Sequence, residues 1–211
     1  KTKPILVIGN GIAGVTFARN FRKKSTQEIC ILSDESPFFF SRTALMYVYM
    51  GHMKFEHTQP YENDFWEKND IQLKQARVEQ VYPDEQRIEL ADGSSMEYEK
   101  LVIACGSKPN FFGWPGQELK GVQGLYHKKD LESMEVHTQK IKHAVVVGGG
   151  LIGVEMAEML QSRGIGVTFL VREKLFWNGV LPDQEAQLIS SHIAVDHGVD
   201  LRLSTELDAI V

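Results

Sequence analysis

The chain has 211 residues, a quarter of them charged (24%), and a formal net charge of −5, so it can hold one large domain or two small ones, each with its own core. Its charges are mixed rather than blocked, and no basic patch or stripe suggests nucleic-acid binding. No apolar run approaches the roughly 18 residues of a membrane span, and no charged-then-apolar leader precedes the first apolar run.

Ile5-Leu6-Val7-Ile8 reads as a buried strand that runs straight into Gly9-Asn10-Gly11-Ile12-Ala13-Gly14. Val15, Phe17, Ala18 and Phe21 then recur at helical spacing, and Arg22-Lys23-Lys24 supplies the cations favoured at a helix C-terminus. Strand, glycine turn and helix in that order are the context in which G-x-G-x-x-G implies dinucleotide binding. Gly9 permits the tight turn, Gly11 admits a pyrophosphate, and Gly14 lets helix and strand approach. The helix N-terminus offers its unpaired N–H groups to the phosphates.

Glu28 to Leu32 reads as the second strand, ending at Ser33-Asp34-Glu35. A dinucleotide fold needs a carboxylate about 20 residues past the glycines to hold ribose hydroxyls, and both Asp34 and Glu35 stand there. Next come Phe38-Phe39-Phe40, either core or an apolar wall, followed by Ser41 and Arg42, whose polar groups suit an anion. His52 and His57 have no third ligand nearby, so no metal is expected. Tyr61 to Lys68 reads as a short helix. The period then changes to two: Ile71-Gln72-Leu73, Val78 to Tyr82 and Arg87 to Leu90 alternate, which predicts a small inserted antiparallel sheet.

Lys100 to Ala104 returns to a buried strand and ends in Cys105-Gly106-Ser107-Lys108-Pro109. Asn110 to Gly116 is the most linker-like stretch, which predicts two domains, 1–114 and 115–211. Asp130 to Ile141 reads as a helix. Ala144-Val145-Val146-Val147 then enters a second glycine turn, Gly148-Gly149-Gly150-Leu151-Ile152-Gly153, with a helix behind it ending at Arg163-Gly164. Val167 to Val171 is the next strand, and Arg172 and Glu173 stand where the first unit has Asp34 and Glu35. An arginine there accommodates a 2′-phosphate and an acid prefers a free hydroxyl, so the pair leaves NADH and NADPH both open. A helix over 185–198 and a strand over 199–203 follow. Cys30 and Cys105 make no C-x-x-C, zinc or disulfide pattern, so a reducing cytoplasm is the expected location. The expected fold is α/β, with two Rossmann-like three-layer domains, the small antiparallel insertion, and an incomplete first domain.

Taken together, the glycine turn at Gly9, the Leu101-to-Pro109 segment and the second turn through Gly153 to Glu155 resemble the FAD-dependent pyridine nucleotide oxidoreductases, flavoproteins related to glutathione reductase. The resemblance implies FAD at the first glycine turn, with Gly9, Gly11, Ile12, Ala13 and Gly14. Asp34, Glu35, Ser41, Arg42 and the Ala104-Cys105-Gly106 segment are implied to join it. It implies NAD(P)H at Gly148, Gly150, Leu151, Ile152 and Gly153, with Arg172 and Glu173. Glu155 is implied to lie near the nicotinamide, although an ordinary first-turn glutamate is the competing reading. The Phe40-Ser41-Arg42 stretch looks most like members that pass electrons to nitrite-reductase, rubredoxin or ferredoxin-type partners. A redox-sensing flavoprotein of the apoptosis-inducing type is the alternative.

Three departures qualify the resemblance. Cys105 replaces a usual threonine. No redox cysteine lies between Ser36 and Tyr61, so disulfide reduction is not expected. A later segment that returns to the FAD domain is missing, so the chain reads as an N-terminal piece of a longer protein, with its oligomeric state left open.

Overall fold

In a computed structural model, residues 2–211 are described. β1 (Ile5–Ile8) leads into α1 (Ile12–Arg22), and β2 (Ile29–Ser33) follows. A 3₁₀ turn (Arg42–Ala44) continues into the short helix α2 (Leu45–Tyr49), and a second 3₁₀ turn (Phe55–Thr58) precedes α3 (Phe65–Lys68). Five strands come next: β3 (Ile71–Gln75), β4 (Val78–Tyr82), β5 (Arg87–Leu90), β6 (Ser95–Glu97) and β7 (Lys100–Ile103). After these lie α4 (Lys128–His137), β8 (His143–Val147), α5 (Leu151–Gln161), β9 (Gly166–Leu170) and α6 (Asp183–Ser191). A π-helical turn (His192–Asp196) and β10 (Asp200–Arg202) complete the elements. Among the described residues no helix is long and apolar enough to cross a membrane.

The chain divides into two compact units. The first comprises the residues up to Leu45, Met53–Lys108 and Tyr126–Lys129; the second comprises Met46–His52, Pro109–Leu125 and Asp130–Val211. Two short segments, Met46–His52 and Tyr126–Lys129, therefore belong to a different unit from their chain neighbours.

In the first unit the parallel sheet runs β3-β2-β1-β7. Its inner strands are apolar on both faces, because both are covered. Leu6, Cys30 and Leu32 meet Ile88, Leu90 and Tyr98 of the antiparallel sheet β4-β5-β6 on one side. Val7, Ile29, Ile31 and Ile71 meet Val15 and Ala18 of α1, together with Phe39 and Trp66, on the other. These three layers are what the alternation of side chains along a strand produces.

The antiparallel insertion is present, but Ile71-Gln72-Leu73 is not part of it. β3 pairs in parallel with β2, from Ile29 opposite Ile71 to Ser33 opposite Gln75. Buried Trp66 on α3 packs the crossover against the sheet, and the chain re-enters beside β2. Ser95–Glu97, which has no marked alternation, is the third antiparallel strand. The aromatic segment resolves toward core: Phe39 and Phe40 are buried, against Tyr61 and Phe55 respectively.

The second unit holds the parallel sheet β10-β9-β8. α5 packs on it where Gly153 meets the ring of Phe169; a β-carbon on that glycine would stand 2.8 Å from Cζ. Met159 and Phe169 are fully buried. Segment Met46–His52 is pinned inside this unit by Tyr49. The Tyr49 hydroxyl donates to Thr138 Oγ1 at 2.8 Å, and its carbonyl accepts from Arg163, which also forks onto Glu135 at 2.6 Å.

Candidate functional site

The strand order of the first unit puts β1 between β2 and β7, so the chain leaves β1 in one direction to build β2 and returns on the other side to build β7. The crevice at the carboxyl ends of strands at such a switch point is where open α/β sheets bind ligands. The loops that follow β1, β2 and β7 all carry residues singled out from the sequence. Gly9 donates its N–H to the Leu32 carbonyl (2.7 Å), and the Ile8 carbonyl accepts from Ala104 (2.8 Å). The first glycine turn is thus clamped to both neighbouring strands.

Each glycine of this turn answers to a different constraint. Gly9 has φ +110°, and a β-carbon there would collide with the Ala104 carbonyl. A β-carbon on Gly14 would collide with the Gly9 carbonyl and stand 3.1 Å from a Val7 methyl. Gly11 differs: it has an ordinary extended conformation, and nothing lies within 4 Å of where its β-carbon would be. The protein itself makes no demand for glycine at Gly11. Gly11 caps α1 without a side chain, so the first N–H groups of the helix lack a capping partner there. Ile12, 71% exposed, and Ala13 border the opening.

Asn10, between the glycines, is buried and donates to the Ser36 and Phe38 carbonyls (2.8 and 3.2 Å), tying the turn to the loop after β2. In that loop the two adjacent acids part company. The Asp34 side chain is 53% exposed and pairs with Arg77 at 3.2 Å. The Glu35 side chain is only 11% exposed and accepts from both terminal nitrogens of Arg42 (3.0 and 2.6 Å) and from the Lys128 N–H (2.8 Å). Burial alone would push the Glu35 carboxyl up. The Arg42 and Lys128 hydrogen bonds and the charges of Arg42 and His127 outweigh it and hold it below the ordinary carboxylate range.

Arg42 also donates to the Tyr126 carbonyl (2.5 Å), and its guanidinium lies over the Phe40 and Tyr126 rings. The Tyr126 hydroxyl accepts from the Ser107 N–H at 2.9 Å, beside Gly106. Ser41 Oγ lies 3.3 Å from Thr43 Oγ1, and Cys105 is exposed at the same rim. Tyr126, His127 and Lys128 are thus part of this cluster although no motif marks them. The nearest signal is the change from the Gly/Pro-rich stretch to a helix start.

The second unit repeats the plan more simply. Gly148, at φ +119°, follows β8; Gly153 packs against the Gly148 carbonyl, and Gly150 faces open space as Gly11 does. Gly150 caps α5 without a side chain, and Leu151 and Ile152 are exposed beside it. After β9, Arg172 is 71% exposed and forms an ion pair with Glu173 at 2.9 Å, which holds the Glu173 carboxyl below its ordinary range. Glu155 is half-buried and lies beyond the first turn of α5, which holds no acid, so the first-turn reading of that residue falls away.

Gly9 and Gly14 thus fit the first turn, and in each unit separately one glycine, Gly11 or Gly150, leaves a clearance at its own helix start, which has no side-chain cap. The donor set suits two dinucleotide phosphate groups.

Comparison with known proteins agrees. The chain is 27% identical over 196 residues to the assimilatory nitrate reductase electron transfer subunit of Bacillus subtilis, a match covering 92% of this chain and 25% of that protein. It is 27% identical to rhodocoxin reductase of Rhodococcus erythropolis, over 98% of this chain and 49% of that protein. The ferredoxin reductase for the CYP199A2 system from Rhodopseudomonas palustris has the same fold, with a TM-score of 0.91 at 22% identity, over 100% of this chain and 52% of that one. The chain thus spans a quarter to about half of the length of these proteins. The family model of the pyridine nucleotide-disulphide oxidoreductases matches residues 3–211, and the chain belongs to that family.

Proposed function

We propose that this chain supplies the two dinucleotide sites of an FAD-dependent NAD(P)H oxidoreductase, with FAD in the first unit and NAD(P)H in the second. The observation that carries the reading is the pair of glycine turns in which one glycine each, Gly11 and Gly150, faces open space at an uncapped helix start. Bound FAD supplies hydride acceptance from a nicotinamide and release of electrons to an acceptor.

The chain's own residues bind and orient. The N–H groups at Ile12, Ala13 and Gly14, with Ser41 and Arg42, face the FAD diphosphate. Asp34 or Glu35 takes its ribose, and Ala104, Cys105 and Gly106 line the flavin end. Gly148, Gly150, Leu151, Ile152 and Gly153 hold the second diphosphate, Arg172 and Glu173 meet the adenosine ribose, and Glu155 lies beside the nicotinamide. No side chain acts as a nucleophile in this scheme. The acceptor is a redox protein or small molecule, in keeping with the names of the nitrate reductase subunit and rhodocoxin reductase. Those names favour turnover over a signalling module. The two unpaired cysteines, Cys30 and Cys105, support a reducing, cytoplasmic location.

The test is a visible spectrum after incubation with FAD, followed by anaerobic addition of NADH or NADPH. Stoichiometric flavin that bleaches with either nucleotide is the expected result. A protein that takes up no flavin would overturn the assignment.

A further inference from the structure

Glu35 and Asp34 are adjacent in sequence, yet they are committed to different degrees: Asp34 pairs with exposed Arg77, whereas Glu35 is enclosed by three N–H donors. A carboxylate offers about four lone-pair sites. Glu35 commits its oxygens to two Arg42 N–H groups and the Lys128 N–H, with His127 Nδ1 at 3.6 Å. These partners come from two segments, the nearby turn at Arg42 and the distant Tyr126–Lys129. The last of these also reaches the loop after β7 through Tyr126 and Ser107. Glu35 therefore ties together the rim of the crevice.

Arg42 is the other end of the tie. Of its five N–H donors, the bonds to Glu35 and to the Tyr126 carbonyl use three, and two remain for an anion. Two aromatic faces and a largely enclosed carboxylate fix the plane of the guanidinium. A long arginine held in this way enters an anion contact with most of its rotamer freedom already lost, which is where preorganisation adds affinity.

We propose that Glu35 is a positioning residue that acts through Arg42 to hold an anion-binding guanidinium over the crevice, and that ribose recognition falls to Asp34. This rests on the FAD reading of the first unit and deepens it.

The test is a double-mutant cycle on FAD affinity with Glu35→Gln, Arg42→Gln and the pair, set beside Asp34→Asn. Apo melting curves confirm folding, and amide exchange at Lys128 is followed without FAD. Glu35→Gln and Arg42→Gln should each weaken FAD by about tenfold, with the double variant no weaker than Arg42→Gln alone. Asp34→Asn should weaken FAD by about tenfold in every background and leave Lys128 exchange unchanged. Exchange at Lys128 should quicken in Glu35→Gln. Losses that multiply between Glu35→Gln and Arg42→Gln would mean that Glu35 meets the ligand itself, and would overturn the proposal.

Should Glu35→Gln not fold, Arg42→Lys carries the test, since it keeps the charge but not the fork. A folded Arg42→Lys protein with about tenfold weaker FAD binding supports the proposal, and unchanged affinity overturns it. A wild-type chain that binds no FAD would remove the cofactor reading and the proposal with it. Glu35-dependent exchange at Lys128 would still register the tie, so the two failures are distinguishable.

Discussion

At the scale of single residues, the glycines of the first turn separate into two that the fold needs, Gly9 and Gly14, and one, Gly11, that it does not. Gly14→Ala forces a β-carbon into the Gly9 carbonyl and should cost about 1–3 kcal/mol of stability or more, with or without FAD. Gly11→Ala meets nothing within 4 Å and should leave the apo melting point nearly unchanged, within about 0.5 kcal/mol, while flavin uptake falls. Melting curves and flavin titrations of both variants check this, and equal loss of apo stability would refute the distinction. Glu35 gives a pH dependence of definite sign. Its folded pKa lies below the unfolded value, so its contribution is complete above the ordinary carboxylate range and disappears as pH falls through the folded value. Between pH 7 and pH 4 the urea midpoint of wild type should fall more steeply than that of Glu35→Gln; parallel slopes would contradict it.

At the scale of elements, the strongest sequence signals were the buried strands. Ile5–Ile8 and residues 29–32 of β2 are apolar throughout because both faces are covered, and a run of that kind has few other readings. Ile71–Gln75 misled because a parallel edge strand alternates just as an antiparallel one does; only its partner distinguishes them, and that partner is about 40 residues upstream. The antiparallel sheet serves as the third layer of the first unit, so its inner residues behave as core. Ile88, fully buried against Leu6 and Leu32, should cost about 2–5 kcal/mol when cut to alanine. Gln80→Ala, on the exposed face of β4, should lie within about 0.5 kcal/mol of wild type. Equilibrium unfolding of the two variants decides whether the insertion is structural or peripheral.

At the scale of the whole chain, the two glycine turns were legible from sequence because their chemistry is local. A tight turn, a close helix–strand approach and a clearance for phosphate all fall within six residues, and each imposes its own residue type. The α/β class followed from the strand–turn–helix order, and the family from two such turns with the Leu101-to-Pro109 segment between them. What the tertiary structure alone decided is everything that joins distant segments. It enclosed most of the Glu35 side chain and left that of Asp34 exposed. It brought Tyr126, His127 and Lys128 to the rim of the first crevice, and drew Tyr49 into the second unit beside Thr138 and Arg163. A hydrogen bond between residues 93 apart in the chain, such as Lys128 to Glu35, leaves no periodicity and no spacing rule behind it. Local conformation is written in neighbouring residues, whereas which distant groups meet is settled only when the layers have packed.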